Sequence, residues 1–179
     1  MLNEQTLHEK DTVGVPPFSL TLSGHGLKLN RAKTHTLQVN VGFLCNQTCR
    51  HCHLNAGPAR KENMESGIVD EVVSYARRSQ FETIDITGGN ISRLIQEMSP
   101  LASRLMLRSN LSALNDGNID HLFELLKSYR VIIVASFPSL NELQTDSQRG
   151  DGIFNISIDG LKKLNAIGYG HKGSGLILN

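Results

Sequence analysis

The sequence has no dominant charge. Lys and Arg number 18 and Asp and Glu 17 in 179 residues, so nothing in it resembles the basic footprint of a nucleic-acid binder. It also has no apolar run long enough to span a bilayer. The opening segment, MLNEQTLHEKDTVGVPPFSL, mixes acids with bases and lacks the apolar stretch of a secretory signal. These absences leave a soluble cytoplasmic protein of one-domain size, with no nucleic-acid or membrane partner. Cysteine is confined to one place: there are 3, all inside CNQTCRHC. An odd count packed this tightly makes a poor disulfide framework and reads as metal binding. No second cluster exists to complete a four-thiolate site.

Organisation begins late. Residues 1–36 read as an irregular N-terminal extension, broken at Val15-Pro16-Pro17 and punctuated by Gly24 and Gly26. Within it, Phe18, Leu20 and Leu22 alternate with polar residues, which predicts a short strand or extended arm. From residue 37 short apolar runs alternate with helical patterns, as in βα units on a parallel sheet. Strands are expected at Leu37–Val41, Thr83–Thr87, Leu105–Leu107 and Val131–Ala135, with a fifth starting at Gly175. Helices are expected around Ile68–Ala76, over residues 91–102, around Ile119, Leu122, Phe123 and Leu126, and from Ile153 to Ile167. The fold class is α/β. A complete small open sheet and an interrupted larger barrel both fit. Five strands fall short of the eight of a closed (β/α)₈ barrel, and a last strand with no following helix would leave a parallel sheet uncovered.

The chemistry sits in Cys45, Cys49 and Cys52, spaced Cys-x3-Cys-x2-Cys just after the first strand. That is where α/β folds place their sites. Three thiolates can hold three corners of a cubane 4Fe–4S cluster and leave one iron open. An open position separates a catalytic metal site from a closed structural one. Electron-transfer clusters use a fourth cysteine, and none is present. The rival is zinc, with His51 or His53 completing a Cys3His set, although zinc spacings usually come as two separated pairs.

CNQTCRHC after a first strand resembles the radical S-adenosylmethionine (SAM) signature. The wider stretch LQVNVGFLCNQTCRHCHLNAGPARKENM is similar to one subgroup, the arsenosugar biosynthesis radical-SAM proteins. IDITGG, LRSNL, VASFPS, DSQRGDGIF and LKKLNAIGYG resemble the same subgroup. The resemblance spans about residues 18–179 and implies a partial radical-SAM TIM-type barrel over 37–179. It further implies a 4Fe–4S cluster on the three cysteines and SAM on the open iron. The implied reaction transfers a 5′-deoxyadenosyl group to a methylated arsenic species after reductive SAM cleavage. Implied partners are a small-molecule substrate, in this case an organoarsenical, and an electron donor such as flavodoxin or ferredoxin.

The resemblance also carries cofactor-binding expectations. His51 stands where an aromatic usually lies near adenine. Gly88 and Gly89 match the turn that meets the SAM amino group, where glycine permits a close backbone approach. Ser109 and Asn110 end the third strand and Ser136 the fourth, within reach of SAM. Each of these also reads as an ordinary turn or cap residue. Arg149 and Asp151, in the DSQRGDG loop, are expected to line a substrate pocket, with Asp151 alternatively capping the next helix. Two departures stand against the full carry-over. Gly89 runs directly into Asn90-Ile91-Ser92, so about four residues of the family's turn, including a carboxylate, are missing. The family pattern also continues beyond Asn179 with further cysteines. A truncated, non-catalytic iron–sulfur or zinc-binding remnant is therefore the alternative.

Overall fold

The computed structural model describes residues 14–89, 91–115 and 120–179. They fall into two units, one reaching Lys33 and the other running from Thr34 to Asn179. In the first, Phe18–Gly24 is a helix, α1, where the alternation of Phe18, Leu20 and Leu22 predicts a strand or arm. The reason is local. Pro17 stands at the helix entry with φ −50°, and Ser23 Oγ donates back to Ser19 O at 2.8 Å. None of the helix residues is buried, so no sheet partner or core rewards a two-residue period.

The second unit realises the βα alternation. Its strands are β1 (Thr36–Asn40), β2 (Thr83–Thr87), β3 (Arg104–Ser109) and β4 (Ile132–Ala135). All neighbours pair in parallel, in the order β1-β2-β3-β4. The crossovers carry helices α2 (Ser66–Ser79), α3 (Ser92–Met98) and α4 (Asp120–Ser128). The helix expected over 91–102 is divided: α3 passes into a 3-10 turn at Ser99–Leu101, with Pro100 at its start, because proline cannot donate to a continuing helix. Ile119 and Asn90, both invoked above, lie outside the described residues. Two helices follow β4, α5 (Glu142–Arg149) and α6 (Ile153–Ala166). At the far edge Ile133 N donates to Ile177 O at 3.0 Å and Asn179 N to Ile133 O at 2.9 Å. The expected fifth strand thus starts as a parallel bridge between Ile133 and Leu178.

The two faces of the sheet differ. One carries Val39, Ile84, Ile86, Leu105, Leu107 and Ile133, buried against Leu94, Ile95, Met98, Leu126 and Leu164 of the helices. Burying each such side chain is worth roughly 1.5–3 kcal/mol. The alternate positions carry Gln38, Asn40, Asp85, Thr87 and Arg108 in adjacent rows. There the Asp85 carboxylate accepts from Arg108 Nε and Nη2 at 2.9 and 2.7 Å. Asp85 is only 5% exposed, so the bidentate partner is what makes its charge tolerable in mid-strand.

Candidate metal centre

The segments that follow β2, β3 and β4 meet the cysteine-bearing loop that follows β1. Past β1, Asn40 Oδ1 accepts from Gly42 N at 3.1 Å and turns the chain into the cysteine loop. The loop is zipped at its base. Phe43 N donates to Glu62 O, Gly57 N to Phe43 O, and Met64 N to Val41 O, at 2.7–3.0 Å. Arg60 clips the returning strand: its guanidinium donates to Glu62 and to Asn55 O and lies 4.8 Å from the centre of the Phe43 ring. The Arg60 guanidinium holds the Glu62 carboxyl down to about 2.

Inside this loop Cys45, Cys49 and Cys52 are free thiols, each half-buried. Cys45 Sγ accepts from Asn110 Nδ2 at 3.5 Å. Cys52 Sγ accepts from Ala56 N at 3.4 Å. Cys49 Sγ donates to Gln47 Oε1 at 3.2 Å. Burial pushes the Cys49 thiol up; Arg149 opposes the rise, and Cys45 and Cys52 add to it. Among the described residues no three His, Cys, Asp or Glu side chains stand converged for metal ligation. Each thiol turns about a single Cα–Cβ bond, so the donor set is present without being closed.

Beside the thiols runs a polar chain, buried at Gln47, Ser112 and Arg149. Gln47, 3% exposed, donates through Nε2 to Ser112 Oγ at 2.7 Å. Its Oε1 accepts from Arg149 Nη1 at 3.1 Å. Ser112 Oγ donates to Asn46 Oδ1 at 3.1 Å, which also accepts from Asn110 Nδ2 at 2.8 Å. Arg50 N donates to Gln148 O at 2.9 Å, tying the loop to α5. Arg149 is therefore not in a loop, as its DSQRGDG setting suggests, but in the last turn of α5 and buried. Asp151 does not cap the next helix. Gly152 is the N-cap residue of α6, and the carboxylate of Asp146 accepts from Gly152 N and Phe154 N at 2.8 Å each. Asp151 itself is exposed.

The remaining expected contacts fall as follows. Gly88 and Gly89 end β2 with φ of 80° and 47°, a region that favours glycine. A Cβ on Gly88 would stand 2.8 Å from Gly42 O, and one on Gly89 2.5 Å from Asn63 Oδ1 and 2.8 Å from Val41 Cγ2. Their small size lets the turn pack against both arms of the cysteine loop. Ser109 Oγ accepts from Leu111 N at 3.0 Å, a turn interaction at the end of β3. Ser136 is exposed just beyond β4, and its N–H donates to Ser109 O at 2.7 Å. His51 is exposed on the cysteine loop. Gln47 and Ser112 went unmarked in the sequence. The signal for Asn110 was its place at a strand end; for Gln47 and Ser112 there was none.

The donor set fits an iron–sulfur cluster with one open iron. It offers 3 sulfurs and no fourth, N–H groups already aimed at two of them, and a buried cation whose Nε has no partner. Such a cation is costly without a counter-charge, and a thiolate-ligated cluster is anionic.

The class of fold follows. This is an α/β protein whose parallel sheet and crossover helices match part of a TIM-type barrel, its candidate centre on the C-terminal edge of the strands. SuiB of Streptococcus suis, solved bound to precursor peptide SuiA, matches with a TM-score of 0.60 at 16% identity, over 93% of this chain and 40% of that one. Native anSMEcpe with bound AdoMet matches with a TM-score of 0.57 at 12% identity, over 80% of this chain and 42% of that one. In sequence, the chain is 25% identical over 130 residues to the "putative peptide biosynthesis protein YydG" of Bacillus subtilis (strain 168), covering 68% of this chain and 40% of the relative. No family model matches. The chain spans about 40% of the length of these relatives.

Proposed function

We propose that the chain is the cluster- and SAM-binding part of a radical-SAM enzyme. The observation that carries this reading is a three-cysteine loop at the C-terminal edge of a parallel sheet, set over a buried, carboxylate-free arginine. Cys45, Cys49 and Cys52 hold a 4Fe–4S cluster. When bound, such a cluster supplies the single electron for reductive cleavage of SAM. The protein's own work is to bind, orient and exclude water. Asn110 and Ala56 N–H donate to the sulfurs. Gly88 and Gly89 let the turn pack closely against the loop, and His51 and Ser136 lie exposed on the same edge for the co-substrate. The electron comes from a flavodoxin- or ferredoxin-type donor.

For the acceptor, the sequence around the cysteines supports a methylated arsenic species receiving a 5′-deoxyadenosyl group, the arsenosugar-type reaction. A peptide acceptor is the second reading, favoured by the peptide named with YydG and seated on SuiB. A non-catalytic remnant is the rival in which iron binds but SAM is not cleaved; the short turn after Gly89 supports it.

Anaerobic reconstitution with iron and sulfide tests the centre. The expected product is brown, shows a cluster electron-spin signal when reduced, and loses it in Cys49→Ser. Colourless protein carrying one zinc, or none of either metal after reconstitution, sinks the reading. 5′-Deoxyadenosine release from SAM under dithionite separates enzyme from remnant. Comparing its rate with a dimethylated trivalent arsenical and with a peptide separates the two acceptors.

A further inference from the structure

Arg149 is the most deeply buried cation on the site's edge, at 8% exposed. The ion pairs among the described residues use His35, Arg60, Arg93, Arg108 and Lys162, and none gives Arg149 a carboxylate. Its Nη1 donates to Gln47 Oε1 at 3.1 Å, and the same oxygen accepts from Cys49 Sγ at 3.2 Å. Its Nε is buried with no partner. A guanidinium cannot shed its proton in a protein, so its charge must be compensated from nearby. The cysteine loop lies one amide away. A ligated Cys49 has no proton to donate, so its hydrogen bond to Gln47 Oε1 is lost on ligation and that oxygen is left to the guanidinium.

We infer that Arg149, held in place by Gln47, supplies the counter-charge of the thiolate ligand set and raises the reduction potential of a cluster held by Cys45, Cys49 and Cys52. The inference rests on the cluster reading above. Adding an electron makes the cluster more negative, and a fixed buried cation favours the more negative form. Without that cation the reduced cluster is disfavoured.

The test is a potentiometric titration of the reconstituted protein, followed by the electron-spin signal of the reduced cluster. Arg149→Gln is expected to lower the potential so that the reduced-to-oxidised ratio at a fixed potential falls about tenfold, about 59 mV for one electron. Arg149→Lys keeps the charge and is expected to stay near the wild-type potential, which a merely structural role does not predict. Should Arg149→Gln fail to fold, Gln47→Glu reads the same coupling with an isosteric change. Its carboxylate neutralises the guanidinium and lowers the potential. A wild-type potential in Arg149→Gln, or in Gln47→Glu where Arg149→Gln does not fold, overturns the inference. So does an unchanged potential in Arg149→Gln with weakened SAM binding, which assigns the guanidinium to the co-substrate instead. If the wild-type chain takes up no iron, the cluster reading fails first, and the two failures are told apart by that control.

Discussion

Ile133 on β4 and Gln47 in the cysteine loop are both almost completely buried, at 0% and 3% exposed, yet they are held by different forces. Ile133 sits among apolar side chains from the strands and helices. Its stabilisation is area removed from water, which is non-directional and tolerates small shifts. Gln47 sits among polar atoms and is kept in place by three hydrogen bonds to Ser112, Arg149 and Cys49. Those bonds are directional, and each leaves a costly orphan if its partner goes. The sheet is therefore the stable platform, and the loop is a polar assembly laid on its edge that can open without unfolding it.

Mutations in the two regions sharpen this contrast. Ile133→Ala is expected to have the largest effect, costing about 2–5 kcal/mol through lost burial and a cavity. Urea unfolding followed by circular dichroism reads it as a lower midpoint. Gln47→Ala is expected to cost about 1–3 kcal/mol locally, because Arg149 and Ser112 lose their partner. Most of that should appear as faster alkylation of Cys49, with the urea midpoint falling less than in Ile133→Ala. If the two variants unfold alike, loop and sheet are one cooperative unit and the contrast is lost.

A smaller change probes a polar group inside the platform. Tyr169 is fully buried, and its hydroxyl lies 2.8 and 2.7 Å from Leu126 O and Val131 O. Burial pushes its ionisation well above the ordinary tyrosine range. Tyr169→Phe is expected to cost about 1–2 kcal/mol of global stability and to leave Cys49 alkylation unchanged. A selective change in thiol reactivity would show that the two regions are coupled.

The smallest effect is expected at Glu62, on the exposed clip of the loop. Its folded carboxyl is held at about 2 against an ordinary 4.5. A depressed carboxylate stabilises the fold fully above the unfolded value and loses that contribution as pH falls through the folded value. Glu62→Gln should therefore differ slightly from wild type at pH 7, with the difference shrinking between about pH 4.5 and 2. The pair is exposed and salt-screened. A difference that grows toward acid would contradict this account of the clip.

The strands were legible because their apolar residues come as short alternations or short runs: TIDIT alternates over Thr83–Thr87 and IIVA is continuous over Ile132–Ala135. Two helices were not read correctly. α5 is ELQTDSQR, with no apolar stripe and Leu143 81% exposed, so periodicity has nothing to find. A signal was present at its start, where Asn141 Oδ1 accepts from Gln144 N at 3.1 Å as an N-cap. α1 failed the other way: its alternation mimics a strand because none of its residues packs on anything that selects a period. At the site, the cysteine spacing was plain in the sequence. Arg149 was visible as a residue but not as a buried cation, since its place depends on a helix the pattern concealed.

The sequence by itself determined the βα order and the set of three sulfurs, because both are local facts of spacing and hydrophobic run. Only the tertiary structure decided what surrounds those sulfurs. Gln47, Ser112 and Arg149 lie 65 and 102 positions apart along the chain from Gln47. They meet because successive parallel strands deliver their following segments to one edge. No local propensity encodes such a meeting; the packing of the strands does.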